Sequence, residues 1–129
     1  MARPPTDEPT PAELEILNVL WETGPIPLSQ ICEALRLNRP VATTTVATVL
    51  TVMLKKDLVT RDRIERGSLW AAKISRQSTA KGMVSKLVEQ LFAGSANSLV
   101  AHLIDEGKIS AAQRQELLEL LTRGKRGTK

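Results

Sequence analysis

Threonine recurs in the segment ATTTVATVLTVMLKK, residues 42 to 56, at a spacing that points to hydrogen-bonding chemistry. Thr44, Thr48 and Thr51 follow the i, i+4, i+7 pattern of one helix face. Solvent-facing helix positions usually hold Glu, Lys, Gln or Ala, because β-branched side chains lose rotamer freedom in a helix. A threonine hydroxyl can bond to base edges or phosphates, and its methyl group can contact thymine. The pattern indicates a DNA-contacting face, the alternative being an ordinary solvated one.

The same segment could form a β-strand on propensity alone, since threonine and valine favour strands. In a strand, however, Thr44 and Thr48 would share a face with Val46 and Leu50, so apolar and hydroxyl side chains would not be separated. In a helix, the apolar residues Val46, Val49, Leu50 and Met53 collect on the side opposite the threonines. The sequence therefore predicts a helix with an apolar buried face and a hydroxyl-rich exposed face.

Charge is distributed unevenly along the 129 residues, whose net charge is +4. Residues 1 to 35 carry one arginine against six acids, whereas residues 36 to 76 carry nine lysines and arginines against three acids. Such a basic segment is suited to a polyanion. We expect base contacts from Thr43, Thr44, Thr45 and Thr48, and phosphate contacts from Arg39, Thr51, Lys55, Lys56, Arg61, Arg63 and Arg66.

Three helices and a hairpin are predicted to position these residues. Thr10 and Glu13 have the spacing of a capping box and predict the start of a first helix. A second helix spans about residues 28 to 35, and the threonine helix is the third. Residues 58 to 64 and 69 to 72 flank a turn and predict a β-hairpin. The order is that of a winged helix-turn-helix, in which the third helix enters the major groove and the hairpin, or wing, lies along the DNA backbone.

The last third of the chain is predicted to form three more helices with apolar stripes. Because fewer than about 50 residues rarely bury enough surface to be stable alone, we expect these helices to join two copies in a homodimer. The alternative is a small helical cap on the winged domain of a monomer. The expected interface residues are Leu87, Leu91, Phe92, Leu99, Val100, Leu103, Leu117, Leu118 and Leu121. Residues 10 to 75 then form the DNA-binding domain, residues 76 to 123 the dimerisation domain, and residues 1 to 9 and 124 to 129 flexible tails.

Catalytic and metal sites are not indicated by the sequence. Cys32 and His102 each stand alone in the chain, without the partners that a nucleophile, an acid–base pair or a metal needs. Trp21 and Trp70 are expected in the core rather than stacked on bases. We therefore expect no enzyme, cofactor, metal or small-molecule substrate. Because there is no apolar run long enough for a membrane span and no signal peptide, we expect a cytoplasmic protein. The competing class of function is a dimeric winged-helix module that binds another protein.

Taken together, these elements resemble the penicillinase-repressor family of bacterial winged-helix transcriptional regulators, known as BlaI/MecI/CopY. The resemblance extends over about residues 11 to 121 and rests on the order and spacing of four stretches. They are PAELEILNVLWETGP at the start of the winged domain, TTTVATVLTVMLKKDLV as recognition helix and first wing strand, ERGSLWAA as the wing turn, and LFAGSANSLVAHLIDEGKISAAQRQELLELL as the dimerisation helices.

This resemblance implies a homodimeric repressor that binds a pseudo-palindromic operator, typically built on TACA/TGTA half-sites. It implies that Thr44, Thr45 and Thr48 approach bases and backbone, and that the regulated genes are those of β-lactamase or other stress and resistance functions. Members are commonly inactivated by proteolysis that a membrane metalloprotease sensor triggers. The family's scissile Asn-Phe pair aligns here with His102-Leu103, which is the candidate proteolytic site.

Several positions depart from the family's pattern. Where relatives often carry Lys the chain has Thr44, where they carry Arg later in the helix it has Val52, and Asp57 replaces the usual Gly after the paired lysines. Fewer cations imply fewer phosphate contacts and favour a different operator. The C-terminal cysteine cluster of the copper-responsive branch is absent, so the resemblance does not extend to copper sensing.

Overall fold

Six helices and a two-stranded antiparallel hairpin make up the part of the chain that the computed structural model describes, residues 8 to 128 with side chains up to residue 123. The elements are α1 (Pro11–Thr23), α2 (Leu28–Arg36), α3 (Thr43–Lys55), β1 (Val59–Ile64), β2 (Gly67–Ala72), α4 (Arg76–Leu91), α5 (Ala96–Asp105) and α6 (Ala111–Thr128). This order confirms the predicted winged helix-turn-helix followed by three helices. The threonine segment is helix α3, not a strand.

Helix α1 begins with the capping box that the sequence predicts. The Glu13 backbone N–H donates to the Thr10 hydroxyl oxygen (3.2 Å), and the Thr10 backbone N–H donates to the Glu13 carboxylate (3.0 Å). These two bonds satisfy N–H groups that have no partner within the helix. The helix ends at Gly24, whose φ of 81° is a conformation that side chains disfavour. Both ends of α1 are therefore defined by local sequence.

A single apolar core holds α1, α2, α3 and the hairpin together. Its buried residues are Ile16, Leu17, Leu20, Ile26, Ile31, Cys32, Leu35, Val46, Leu50, Met53, Leu58, Val59 and Trp70. Val46, Leu50 and Met53 are the buried face of α3, and Val49 packs against the core from the side, as predicted. Cys32 is also a buried core residue. The buried face of α3 leaves its threonines on the outside.

The wing is wider than the sequence indicates, because Ile26 joins it as a single-residue bridge. Its backbone N–H donates to the Trp70 carbonyl (3.1 Å), and the Trp70 N–H donates to the Ile26 carbonyl (2.8 Å). Pro25 and Pro27 have no N–H to extend this pairing. β1 and β2 pair in register from Val59↔Ala72 to Ile64↔Gly67. The bridge fastens β2 to the loop before α2.

Glu13 also forms an ion pair that joins the start of α1 to the end of α3. Lys56 Nζ lies 2.9 Å from Glu13 Oε1 and 3.0 Å from Oε2, and the Glu13 residue is only 3% exposed. The carboxylate thus accepts from both the Thr10 backbone and the Lys56 ammonium. Removing a buried carboxylate costs more stability than removing an exposed one, because its donors are then left without an acceptor away from water.

Replacing Glu13 with alanine is expected to lower the free energy of unfolding by about 2 kcal/mol, because the change removes the cap acceptor and the partner of Lys56 together. Urea-induced unfolding followed by circular dichroism measures this loss. Glu15→Ala is the matched control on the same helix, since Glu15 pairs with Arg39 at an exposed position and its loss should change stability little. Equal effects of the two substitutions would contradict the role assigned to Glu13.

The chain divides into two compact units, the first ending at Met83 and the second beginning at Val84. Every buried apolar residue of the described chain lies in the first unit. In the second unit Ser95 caps α5, and Ser110 and Gln113 exchange backbone-to-side-chain hydrogen bonds at the start of α6. No described residue of this unit is fully buried, so its apolar stripes remain accessible.

Candidate nucleic-acid interface

The face of α3 that points away from the core is formed mainly by hydroxyl side chains. Thr43, Thr44, Thr45, Thr48 and Thr51 are all exposed. Thr44, Thr45, Thr48 and Thr51 share this face with Val52 and Lys55, which are also exposed. Thr43 is exposed at the start of the helix, on the side of Val46 and Leu50. Sequence reasoning did not include Val52 in the site, although its i+4 spacing from Thr48 places it on the same stripe. Hydroxyls, a few methyl groups and one terminal cation suit the mixed polar and apolar edge of the major groove.

Two of these hydroxyls are already engaged with the helix backbone. The Thr48 hydroxyl donates to the Thr44 carbonyl (2.9 Å), and the Thr51 hydroxyl donates to the Ala47 carbonyl (3.0 Å). Such i−4 bonds are common for threonine in helices. Because each hydroxyl has one proton, these oxygens face outward as acceptors only. A phosphate also only accepts, so the predicted contact of Thr51 with phosphate would require this bond to break.

Thr43 is engaged differently, through a residue that sequence reasoning missed. Arg36, at the end of α2, donates from Nη2 to the Thr43 hydroxyl oxygen (2.9 Å) and from Nε to the Val41 carbonyl (2.9 Å). The helix N-cap, Ala42, makes no side-chain cap bond. Arg36 therefore holds the start of α3 across the turn and leaves the Thr43 proton available to an outside acceptor. The sequence places Arg36 in the basic segment, which could have marked it as a candidate, but it does not show that the side chain reaches Thr43.

The wing carries three arginines, Arg61, Arg63 and Arg66. Arg61 Nε donates to Ser68 Oγ (3.1 Å), and its guanidinium lies 5.3 Å from the centre of the Trp70 ring. This cation–π contact fixes the direction of a long side chain. Arg63 and Arg66 are exposed. An open recess lies between the wing and helices α2 and α3. Its lining residues include Ser29, Ala47, Thr51, Arg61 and Arg66.

Two of the predicted phosphate-contacting cations form ion pairs within the protein. Lys56 binds the buried Glu13 carboxylate, as described above. Arg39 donates from Nη2 (2.6 Å) and Nε (3.2 Å) to the two oxygens of Glu15. These hydrogen bonds hold the pKa of Glu15 below its ordinary value, so the pair persists at neutral pH and is lost only as the pH falls through that lowered pKa. A phosphate contact of Arg39 or Lys56, which stays a prediction, would compete with these carboxylates.

The two tryptophans serve the core, as the sequence predicts. Trp70 is buried, and Trp21 packs against the core with its indole N–H donating to the Ile74 carbonyl (2.9 Å). Arg76 lies over the Trp21 ring at 5.4 Å. Neither indole is an open platform on which a base could stack.

The residues predicted for dimerisation are all accessible in the second unit. Leu87, Leu91, Val100, Leu118 and Leu121 are exposed, with Leu121 74% exposed. Phe92, Leu99, Leu103 and Leu117 are half-buried. Val84, Ile104 and Leu120 are exposed as well, although the sequence analysis did not include them.

The candidate proteolytic bond, between His102 and Leu103, lies inside α5. His102 is exposed and its ring lies 5.9 Å from that of Phe92. Among the described side chains, no group of three His, Cys, Asp or Glu could hold a metal ion. The described helices include no candidate membrane span.

Comparison with known proteins identifies the family. The family described as Penicillinase repressor matches residues 9–123. The transcriptional regulator BlaI of Mycobacterium tuberculosis is 33% identical over 112 residues, which cover 84% of this chain and 81% of that protein. The methicillin resistance regulatory protein MecI of Mammaliicoccus sciuri is 21% identical over 118 residues, covering 92% and 96%.

A solved structure, that of a probable transcriptional regulator from Pseudomonas aeruginosa, is similar to this chain at 22% identity with a TM-score of 0.47, covering 92% of this chain and 80% of that one. The family match extends over the winged unit and the three C-terminal helices alike. The chain therefore belongs to the penicillinase repressor family.

Proposed function

We propose that the protein is a transcriptional repressor that binds a pseudo-palindromic DNA operator as a homodimer. One observation carries this proposal: the exposed hydroxyl face of α3 lies beside a recess that wing arginines line. We call this the reading surface and define it as Thr43, Thr44, Thr45, Thr48, Thr51, Val52, Lys55, Arg61, Arg63 and Arg66. Membership of a family of repressors, rather than of enzymes, supports it.

The reading surface separates base contacts from backbone contacts. The first turns of α3 present Thr44, Thr45 and Thr48, where a recognition helix meets base edges. Arg61 and Arg66 lie in the recess with Ser29, in the first turn of α2. In that turn the Gln30 and Ile31 N–H groups donate to the Pro27 carbonyl, whereas those of Leu28 and Ser29 precede the first hydrogen bonds of the helix, and Pro27 makes no side-chain cap bond. Arginines beside such N–H groups suit a phosphate.

Homodimerisation is supported by the apolar residues of the second unit. No described residue there is fully buried, whereas its leucines and valines recur at helical spacing in α4, α5 and α6. Burying one such side chain contributes about 1.5 to 3 kcal/mol. A twofold dimer would cover these residues and offer two copies of α3 to half-sites roughly 34 Å apart, one turn of DNA.

The same proposal includes relief of repression, in which a membrane metalloprotease sensor triggers cleavage of the bond between His102 and Leu103. The bond lies within a hydrogen-bonded helix, so cleavage requires α5 to open first. The regulated genes in this proposal are β-lactamase or other stress and resistance genes, as the names of the relatives suggest.

The test is selection of duplexes from a random DNA library, followed by titration at several salt concentrations. A repressor should enrich one sequence with twofold symmetry, and its affinity should fall with a log–log slope of about −0.9 per neutralised phosphate. Enrichment of no sequence, or affinity almost independent of salt, would overturn the proposal and favour a protein-binding module.

Arg66→Ala should weaken binding to selected and random duplexes alike. Because a dimer carries two copies of Arg66, the salt slope should become shallower by about 2. Lys108→Ala is the matched control, since it removes the same charge at an exposed turn outside the reading surface and should leave the slope unchanged. A loss confined to the selected duplex would show that Arg66 reads bases, contrary to the backbone role assigned to it.

A further inference from the structure

The hydroxyls of the reading surface differ in hydrogen-bond polarity. Thr48 uses its proton in a bond to the Thr44 carbonyl, so its exposed oxygen is left with lone pairs only. Thr43 is the reverse case, because the Arg36 guanidinium donates to its oxygen and cannot accept. The Thr43 proton is therefore left for an acceptor outside the protein. Residue type alone does not distinguish these two threonines.

This difference has a consequence for the bases that Thr48 can recognise. In the major groove, adenine and cytosine each present an exocyclic amino donor, N6 and N4, whereas N7, O6 of guanine and O4 of thymine are acceptors. An oxygen without an available proton bonds only to the amino groups. Turning the Thr48 hydroxyl outward as a donor would sacrifice its bond to the Thr44 carbonyl.

We propose that Thr48 is a specificity-determining residue that accepts a hydrogen bond from an exocyclic amino group of adenine or cytosine in the major groove. The proposal rests on the DNA-binding function proposed above and specifies the polarity of one contact within it. Thr48 has the exposure that the contact needs, and it lies one turn along α3 from Thr44. Thr43 serves as the internal contrast, because Arg36 gives it the opposite polarity.

The experiment uses the full-length protein and the symmetric duplex that the library selection yields. Each adenine of the half-site is replaced in turn by purine, which lacks the N6 amino group, and each cytosine by 2-pyrimidinone, which lacks the N4 amino group. Replacing the base that Thr48 contacts, in both half-sites, should weaken wild-type binding by roughly tenfold. Whether that base is an adenine or a cytosine identifies the source of the amino group.

Variants at the two threonines then separate the contact from general effects on base pairing. Thr48→Val should bind the unmodified duplex roughly tenfold more weakly and should lose its sensitivity at that one position. Thr48→Ser, which keeps the hydroxyl, should retain the sensitivity. Thr43→Val should retain it in full, because its lost group is a donor. Circular dichroism of each variant verifies that α3 is still folded.

Three results would overturn the inference. The first is equal sensitivity of wild type and Thr48→Val to every missing amino group. The second is that Thr48→Val loses sensitivity to 7-deazapurines, which lack the N7 acceptor, instead of to the amino deletions. The third is that Thr43→Val loses the amino sensitivity and Thr48→Val does not. If the library yields no preferred duplex, the proposed DNA-binding function itself fails first, which distinguishes that failure from a wrong polarity for Thr48.

Discussion

Replacing Leu118 and Leu121 together with aspartate is expected to convert the proposed homodimer into a monomer. Both side chains are more than half exposed on α6, at i, i+3 spacing. In a twofold dimer the double substitution removes four leucines from the interface and adds four charges. Since each leucine contributes about 1.5 to 3 kcal/mol when buried, dissociation should be favoured by more than roughly a hundredfold. Sedimentation velocity at micromolar concentration measures the change.

The same variant should lose most of its operator affinity, although its reading surface is unchanged. Two linked recognition helices bind with an affinity that exceeds that of one by about 10² to 10⁴, and separating the protomers removes this gain. Titration of the selected duplex should therefore show at least roughly a hundredfold weaker binding. A single half-site should be bound about as weakly by the variant as by the wild-type protomer.

Leu37→Asp is the matched control for the oligomeric state. Leu37 is 86% exposed, which makes it even more accessible than Leu118, but it lies in the turn between α2 and α3. The control should sediment as a dimer. If it dissociates and the α6 variant does not, the apolar residues of the second unit are not the interface, and the dimer must form elsewhere.

Trp70→Ala is expected to destabilise the winged unit by about 3 to 5 kcal/mol, since removing a buried aromatic side chain loses its burial and leaves a cavity. This is a large part of the total of about 5 to 15 kcal/mol that keeps a typical domain folded. The melting temperature should fall by more than about 10 °C in scanning calorimetry at constant protein concentration. Arg61 would also lose the ring that its guanidinium lies over.

Trp70→Phe separates packing from the wing contact. Phenylalanine keeps a ring beneath Arg61 and most of the apolar volume. Trp70→Phe should therefore be destabilised by less than half as much as Trp70→Ala and should keep most of the DNA affinity. A melting temperature for Trp70→Ala within a few degrees of wild type would contradict the place of Trp70 in the core. Its backbone bonds to Ile26 are kept in both variants and do not account for the difference.

Much of the fold could be predicted because it depends on residues close in sequence. The capping box at Thr10 and Glu13 needs only residues three apart. The threonine segment was predicted to be a helix because helical spacing, unlike strand spacing, separates its apolar side chains from its hydroxyls. Val46, Leu50 and Met53 are buried, as helical spacing requires. The hairpin followed from turn residues between two short runs, and Gly67 has a φ of 108° at that turn.

The partners of the cations in the candidate site could not be predicted from the sequence. Nine lysines and arginines in residues 36 to 76 indicate a basic segment, but the sequence does not show which of them already have partners. Lys56 binds Glu13, 43 positions away, and Arg39 binds Glu15, 24 positions away. Arg36, which sequence reasoning left out, reaches Thr43 across a turn. Each partner depends on how the helices pack.

Residue types and their spacing were enough to predict which faces are apolar, which are hydroxylated and where helices begin, because these properties depend on residues within a turn of a helix or a pair of strand residues. Which carboxylates the cations bind, and which way the hydroxyls of the reading surface donate, depended on the tertiary fold. Those properties depend on side chains that packing brings together: α3 has a well-placed threonine face, but Arg36 on α2 gives Thr43 its polarity and Glu13 on α1 engages Lys56.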